Sequence, residues 1–289
     1  MTNLFDAFSG LHRTPKTPRP ADRPLIVAVH GGTYTSAYFD IEGYSLLDSA
    51  AAQGLHIVAP DRNGYGQTPM LPPDERAILG QARSLRHWIR QSWRHFDAEC
   101  SGIVLIGHSI GGAIAARIAS EPEDLPLLGL AVSGVGLRTP AEHRPMWNAL
   151  PDIPHADIPS AMKDGVMFGP AGSYHSAMPE ASHRADAPAP RAELVDIVST
   201  WHDDVHSILG KISVPVHYRQ GEFDHLWIVD QSEVSGFASA LKTSPSVDAA
   251  LVKGAGHCLD FHRVGAGFHL QQIGFALQCA AQTPESSGK

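Results

Sequence analysis

The sequence predicts an α/β fold: a mostly parallel central sheet with helices on both faces, interrupted late in the chain by a helical lid. Three observations predict it. Short runs of apolar, often β-branched residues alternate with longer stretches of helical periodicity. The strand-like runs are apolar throughout instead of at every second residue, the pattern of strands buried on both faces. Around residues 138–207 the rhythm stops, in a stretch rich in Pro, His, Ala and Met.

In chain order, residues 1–24 read as an extended lead-in, proline-rich and polar from Arg13 to Pro24. Its Pro15-x-x-Pro18 pattern fits a linker better than an SH3-type ligand. Leu25–Val29 is the first buried strand, ending at His30-Gly31-Gly32, and whether the sheet is reduced on the side of residues 1–24 stays open. A helix follows around Tyr44–Gln53 and stops at Gly54. Leu55–Ala59 is the next strand. Asp74–Phe96 carries helical spacing through Ile78, Ala82, Leu85, Ile89 and Trp93. Then come a strand at 102–106, a helix over Ile110–Ser120 and a strand at Leu127–Val132. After the lid at 138–207 the alternation resumes with a strand at 214–219 and a helix near Ile228–Leu241. A strand at Val247–Val252 and a last helix at Gly267–Ala281 complete it. The core is therefore 25–137 and 208–289, with no internal repeat.

Composition excludes several function classes. The 289 residues are 43% hydrophobic and 18% charged, a soluble globular balance with enough chain for a sizeable core. A net charge of -8 without Lys/Arg clusters argues against nucleic acid and anionic membranes. Three cysteines (Cys100, Cys258, Cys279) fit no zinc spacing and point to a reduced, cytoplasmic setting. The N-terminus Met1–Asp6 does not open like a signal peptide, and no apolar run approaches the roughly 20 residues of a membrane span. The Gly134-x-Gly136 pair lacks a third glycine, and no Gly-Lys-Ser/Thr occurs, so dinucleotide and P-loop readings fail. His202 and His206 share a helical face without a third ligand at motif spacing, so no metal is expected.

In an open parallel sheet, ligands bind beyond the carboxyl ends of the strands. The reactive residues just past those ends are His30 with Gly31 and Gly32, then Ser109, Asp224 and His257. Ser109 lies in Gly107-His108-Ser109-Ile110-Gly111, between an apolar strand and an apolar helix. At so sharp a turn, side chains two residues to either side would collide, and glycines remove them. A serine hydroxyl is a weak nucleophile and needs a base, which His257 can supply. A carboxylate such as Asp224 fixes the imidazole tautomer and stabilises the imidazolium. The N–H groups of Ile110 and of Gly32 are the expected oxyanion donors. Glu222 and Asp230 are weaker candidates for the acid, and His262 for the base.

Together these segments resemble an α/β-hydrolase-fold serine hydrolase, of the esterase, lipase and thioesterase kind, across nearly the whole chain. They are the His30-Gly31 loop, Asp61-Arg62-Asn63-Gly64-Tyr65-Gly66, the Gly107–Gly111 elbow, Gly221-Glu222-Phe223-Asp224 and Gly256-His257. Thr68 departs from the pattern, standing where the Asp61 segment often ends in serine, and Cys258 after the histidine either narrows the pocket or packs. The resemblance implies that His108 packs beneath the elbow and that His30 braces the loop carrying Gly32. It also implies cofactor-free cleavage of an ester, thioester or lactone of a small-molecule substrate. C–C hydrolysis and perhydrolysis use the same triad, and a weakly active ligand-binding protein can keep the same fold. An acid nucleophile, as in epoxide hydrolases, is disfavoured by the serine at the elbow. Thr33, Tyr34, Met146, Trp147, Met167 and Phe168 are candidates for the substrate pocket. Oligomeric state stays open, a homo-oligomer included.

Overall fold

The computed structural model describes residues 7–16, 22–72, 76–121 and 125–282. Met1–Asp6, Pro18 of the Pro15-x-x-Pro18 pattern and Asp74, the expected start of the second helix, lie outside them.

The apolar runs become strands for the reason their pattern implies. In β2 (Leu25–Val29), Leu25, Val27 and Val29 join one apolar cluster, while Ile26 and Ala28 join the cluster on the opposite face. β4 (Ile103–His108) divides the same way, Ile103 and Leu105 against Val104 and Ile106. Successive side chains of a strand point to opposite faces, so a strand covered on both sides must be apolar at every position. Each such side chain contributes about 1.5–3 kcal/mol on full burial.

The other core elements follow in order: β1 (Gly10–Arg13), α1 (Leu46–Ala52), β3 (His56–Pro60), α2 (Ala77–Trp93), α3 (Ile110–Ala119) and β5 (Leu127–Ser133). Between β5 and β8 (Val216–Gly221) lie α4 (His143–Asn148), β6 (His155–Ala156), α5 (Ser160–Met167), α6 (Met178–Ser182), β7 (Ala189–Pro190), α7 (Arg191–Ile197) and α8 (Thr200–Leu209). The chain closes with α9 (Gln231–Ala240), β9 (Val247–Val252) and α10 (Gly265–Ala281). The sheet order is β1-β3-β2-β4-β5-β8-β9, parallel except for β1, while β6 and β7 form a separate two-residue ladder. Caps mark several helix starts: Ser45 accepts from the Asp48 N–H at 2.9 Å, and Asp230 from the Glu233 N–H at 2.8 Å.

One expectation needs correction. The segment before Leu25 is more than a lead-in, because Gly10–Arg13 pairs antiparallel with β3, from Gly10↔Pro60 to Arg13↔Ile57. It is an edge strand, half-buried at all four positions, and its pairing comes from the free backbone groups of β3 instead of an apolar face. No apolar run announces it. Trp201 and Val205 of α8 are buried in the same cluster as Ile114 and Ile118 of α3, so this helix packs with the core.

Candidate active site

The candidate residues stand just past the carboxyl ends of three parallel strands. Ser109 follows β4 directly, with φ 55° and ψ −128°, a left-handed backbone that costs a non-glycine residue roughly 1–3 kcal/mol. The surroundings over-determine it. The Ser109 N–H donates to the Ser133 carbonyl at 2.8 Å. A side chain at Gly107 would meet Gly111 O at 2.7 Å, and one at Gly111 would collide with the Val29 and His30 carbonyls. α3 begins at Ile110, so its first N–H groups face the serine.

Asp224 lies in the loop after β8 and His257 in the loop after β9. Asp224 Oδ2 is 2.7 Å from His257 Nδ1 and accepts a second bond from Gln220 Nε2 at 2.7 Å. Its Oδ1 accepts from the Leu226 N–H at 2.8 Å. Both residues are buried, and His257 Nδ1 holds the proton that joins them. This pairing leaves His257 Nε2 as the ring's free nitrogen. The His257 ring lies 4.8 Å from that of His108, next to Ser109 in sequence.

The rival candidates are occupied elsewhere. Glu222 pairs with Lys253 at 2.8 Å and accepts from the Gly254 N–H at 3.0 Å; the Lys253 bond, above all, holds its pKa down. Asp230 caps α9. His262 Nε2 accepts from the N–H groups of Gly169 and Gly256, both at 2.9 Å, and its Nδ1 donates to Cys258 O at 2.8 Å. His108 stacks on Tyr38 at 4.7 Å and reaches Ser133 Oγ at 3.2 Å. Burial, with His257 beside it, pushes His108 down to about 3, so it is neutral at ordinary pH. His202 Nε2 accepts from the Thr139 N–H at 3.3 Å.

On the other side of the elbow, the His30–Tyr34 loop closes against the serine. A side chain at Gly31 would meet Ser109 Cβ at 2.9 Å, and one at Gly32 would meet Ile110 Cδ1 at 2.9 Å. Among the described residues the Gly32 N–H has no hydrogen-bond partner. His30 braces the loop: its Nε2 accepts from the Arg62 N–H at 3.0 Å and its Nδ1 donates to Gly31 O at 2.8 Å. Asp61, of the same segment as Arg62, holds the Ser36 N–H at 2.7 Å and Ser9 Oγ at 2.6 Å. Thr68, at the serine-type position, donates to Asp61 O at 2.8 Å, so its hydroxyl fills the bonding role.

A narrow cleft of about 50 Å³ opens at Ser109 and Ile110. It is walled mainly by Trp147, Leu194, Ile197, Val198, Leu226 and Trp227, with Thr139 and His143 adding polar atoms. Of the six residues proposed from sequence for the pocket, only Trp147 is in this wall. Tyr34 is buried against Tyr38 and Phe261, and Thr33 is held in a left-handed turn. Phe168 packs on Tyr174 and His262, and Met167 joins the same cluster. Met146 is 50% exposed on α4. Apolar character selected them, and apolar character serves packing equally well. Cys258 packs too: it is fully buried with its Sγ 3.9 Å from Tyr34 Oη, and burial pushes the thiol up so that it stays protonated. The missed wall residues had a faint signal in the i, i+3 spacing of Leu194 and Ile197 and in the Leu226-Trp227 pair after the acid loop.

Esterase P of Drosophila melanogaster is 32% identical over 131 residues, 43% of this chain and 23% of that protein. Protein phosphatase methylesterase 1 of Homo sapiens is 26% identical over 115 residues, 40% of this chain and 28% of that protein. Esterase LipI of Mycobacterium tuberculosis is 27% identical over 111 residues, 38% of this chain and 33% of that protein. The match thus spans about a quarter to a third of the length of these curated relatives. Among solved structures, a soluble variant of monoglyceride lipase from Saccharomyces cerevisiae superposes with a TM-score of 0.70 at 15% identity, covering 94% of this chain and 91% of that one. A lipase-esterase related protein from Clostridium acetobutylicum gives 0.68 at 17% identity, covering 93% and 99%. Such low identities speak to the fold alone. The sequence model of the alpha/beta hydrolase family, however, matches residues 26–266, from the first parallel strand past the histidine loop, and the chain belongs to that family.

Proposed function

We propose that the protein is a cofactor-free serine hydrolase that cleaves a small ester through an acyl-enzyme on Ser109. The observation that carries this reading is the buried Asp224–His257 pair, 2.7 Å apart, beside a serine in a left-handed elbow. Ser109 Oγ attacks the substrate carbonyl carbon as His257 Nε2 takes its proton. The charge forming on the carbonyl oxygen is accepted by the N–H groups of Gly32 and Ile110. Asp224 stabilises the imidazolium through Nδ1–H. His257 then protonates the departing alkoxide, and a water activated by the same nitrogen releases the acid.

The names of the relatives, two esterases and a methylesterase, favour an oxygen ester over a thioester, a lactone, C–C cleavage or perhydrolysis. The cleft at Ser109 is narrow and walled by large apolar side chains, which favours a short acyl group. In this reading much of residues 138–207 acts as a lid over the site, because Trp147, Leu194, Ile197 and Val198 all come from it. The protein works in a reducing, cytoplasmic setting, consistent with an odd count of three cysteines that fits no zinc spacing. No helix of the described residues is long and apolar enough to cross a membrane.

A fluorophosphonate probe tests the reading. Wild type is expected to label and Ser109→Ala to stay unlabelled. A wild type that resists the probe under conditions that label a control hydrolase would sink the enzyme claim, and a labelled Ser109→Ala would sink the nucleophile. p-Nitrophenyl esters of increasing chain length, with lactones and acyl thioesters alongside, then rank the substrates, the acetyl and propionyl esters being expected to lead.

A further inference from the structure

The oxyanion loop is held from outside itself by residues far along the chain. Thr33 adopts φ 62°, and like Ser109 it is a non-glycine residue in the left-handed region. Such a residue persists only where its surroundings over-determine it.

Each peptide around it has a buried partner. Arg62 Nε donates to His30 O at 2.8 Å and Nη2 to Gly31 O at 3.0 Å. The same guanidinium grips Glu193 of α7 with two bonds, Nη1–Oε2 at 2.6 Å and Nη2–Oε1 at 3.1 Å, both side chains being fully buried. Tyr65 Oη donates to Glu193 and receives the Thr33 N–H at 3.3 Å. On the other side, Lys163 Nζ of α5 donates to Thr33 O at 2.9 Å, lies 3.7 Å from the centre of the Tyr34 ring and pairs with Asp186. The Ala187 N–H also donates to Thr33 O, at 3.0 Å.

Peptide planarity turns these contacts into an aiming device. In a trans peptide the carbonyl and the following N–H point in opposite directions. Holding Gly31 O on Arg62 therefore drives the Gly32 N–H the other way, the direction an oxyanion donor needs. Holding the Thr33 N–H and O fixes the next two peptide planes. Glu193 sets the guanidinium plane because a bidentate carboxylate leaves the fork one orientation. We propose that Glu193 and Lys163, both from the segment between β5 and β8, are positioning residues that aim the Gly32 N–H at the reacting carbonyl oxygen. The segment then builds half of the oxyanion hole besides covering the site. This inference rests on the acyl-transfer reading above.

The mildest test is Tyr65→Phe, which removes one hydroxyl, with Lys163→Met as an independent second variant. Steady-state hydrolysis of p-nitrophenyl acetate is measured beside inhibition by a trifluoromethyl ketone, which forms a tetrahedral adduct. Each variant is expected to lose about 10-fold in kcat, a fraction of the 10²–10³ for deleting a whole donor, with KM within about twofold. The affinity for the ketone is expected to fall by the same factor, since both read the oxyanion hole. Wild-type kcat in both variants overturns the proposal, and so does a raised KM with unchanged kcat and ketone affinity. If wild type fails the fluorophosphonate test, the hydrolase reading falls and takes this proposal with it. If wild type labels and the variants behave as wild type, only this proposal falls.

Discussion

The two sides of Ser109 are built by different means. On the acid–base side, Asp224 and His257 stand on loops of neighbouring strands, β8 and β9, and Gln220 and Leu226, close to Asp224 in sequence, complete the carboxylate's bonds. On the proposed oxyanion side, the loop after β2 is held directly by Lys163 and, through Arg62 and Tyr65, by Glu193, each more than a hundred positions from its partner. The contacts of the first side are made among the loops that follow β8 and β9 and the end of β8 itself. Those of the second need side chains from the long segment between β5 and β8. Sheet geometry is enough to place an acid and a base on adjacent strands. Aiming a backbone N–H takes partners that the sheet lacks.

The sharpest break in that comparison is on the acid–base side. Asp224→Asn is expected to lower kcat about 10⁴-fold by presenting the wrong imidazole tautomer, while Glu222→Gln stays near wild type. Burst kinetics on both variants check it, and acylation lost only in Glu222→Gln would mean that the acid is misassigned.

Next in size is the buried ion pair. Glu193→Ala strands the Arg62 charge and should cost about 3–5 kcal/mol, seen as a lower urea midpoint. The double replacement Arg62→Met with Glu193→Leu removes both charges and should recover most of that stability without recovering kcat. A double variant with full activity would show that the pair serves the fold alone.

Acid exposes the third difference. Burial lowers His108 to about 3 and His217 to about 4, both well under the unfolded value of 6.5. Unfolding therefore takes up protons below about pH 6.5. Stability should be whole above that pH and decline as pH falls toward 4, by up to about 1.4 kcal/mol per pH unit for each histidine. Urea midpoints between pH 7 and 4.5 measure this, and a flat profile would contradict the burial of these rings.

The smallest effect expected is on selectivity. Trp147→Ala should open the cleft and shift preference from acetyl toward butyryl esters by about 10-fold. An unchanged chain-length profile would remove Trp147 from the acyl wall.

Much of this was legible before any coordinates. Leu25–Val29 and Val247–Val252 read as strands with the bounds that the structure gives them, because short, largely apolar runs between turn residues admit few other fates. The elbow, the acid loop and the histidine loop were legible because their glycines relieve local collisions. The strand Gly10–Arg13 was not, since an edge strand takes its stability from a neighbour's backbone and has little need of apolar side chains. The pocket residues were not either, because Phe168 and Leu194 have the same apolar character and only their placement separates packing from lining.

By itself, then, the sequence determined the alternation of layers, the order serine, aspartate, histidine on successive strand-end loops, and the glycine turns that carry them. These are short-range matters, decided by the residues of each turn and run. Tertiary structure alone decided that Glu193 and Lys163 meet the loop after β2. It also decided which apolar residues face Ser109 and how Thr33 is kept left-handed. Such contacts join residues far apart in the chain, and a buried charge carries no mark in the sequence of the partner that will neutralise it.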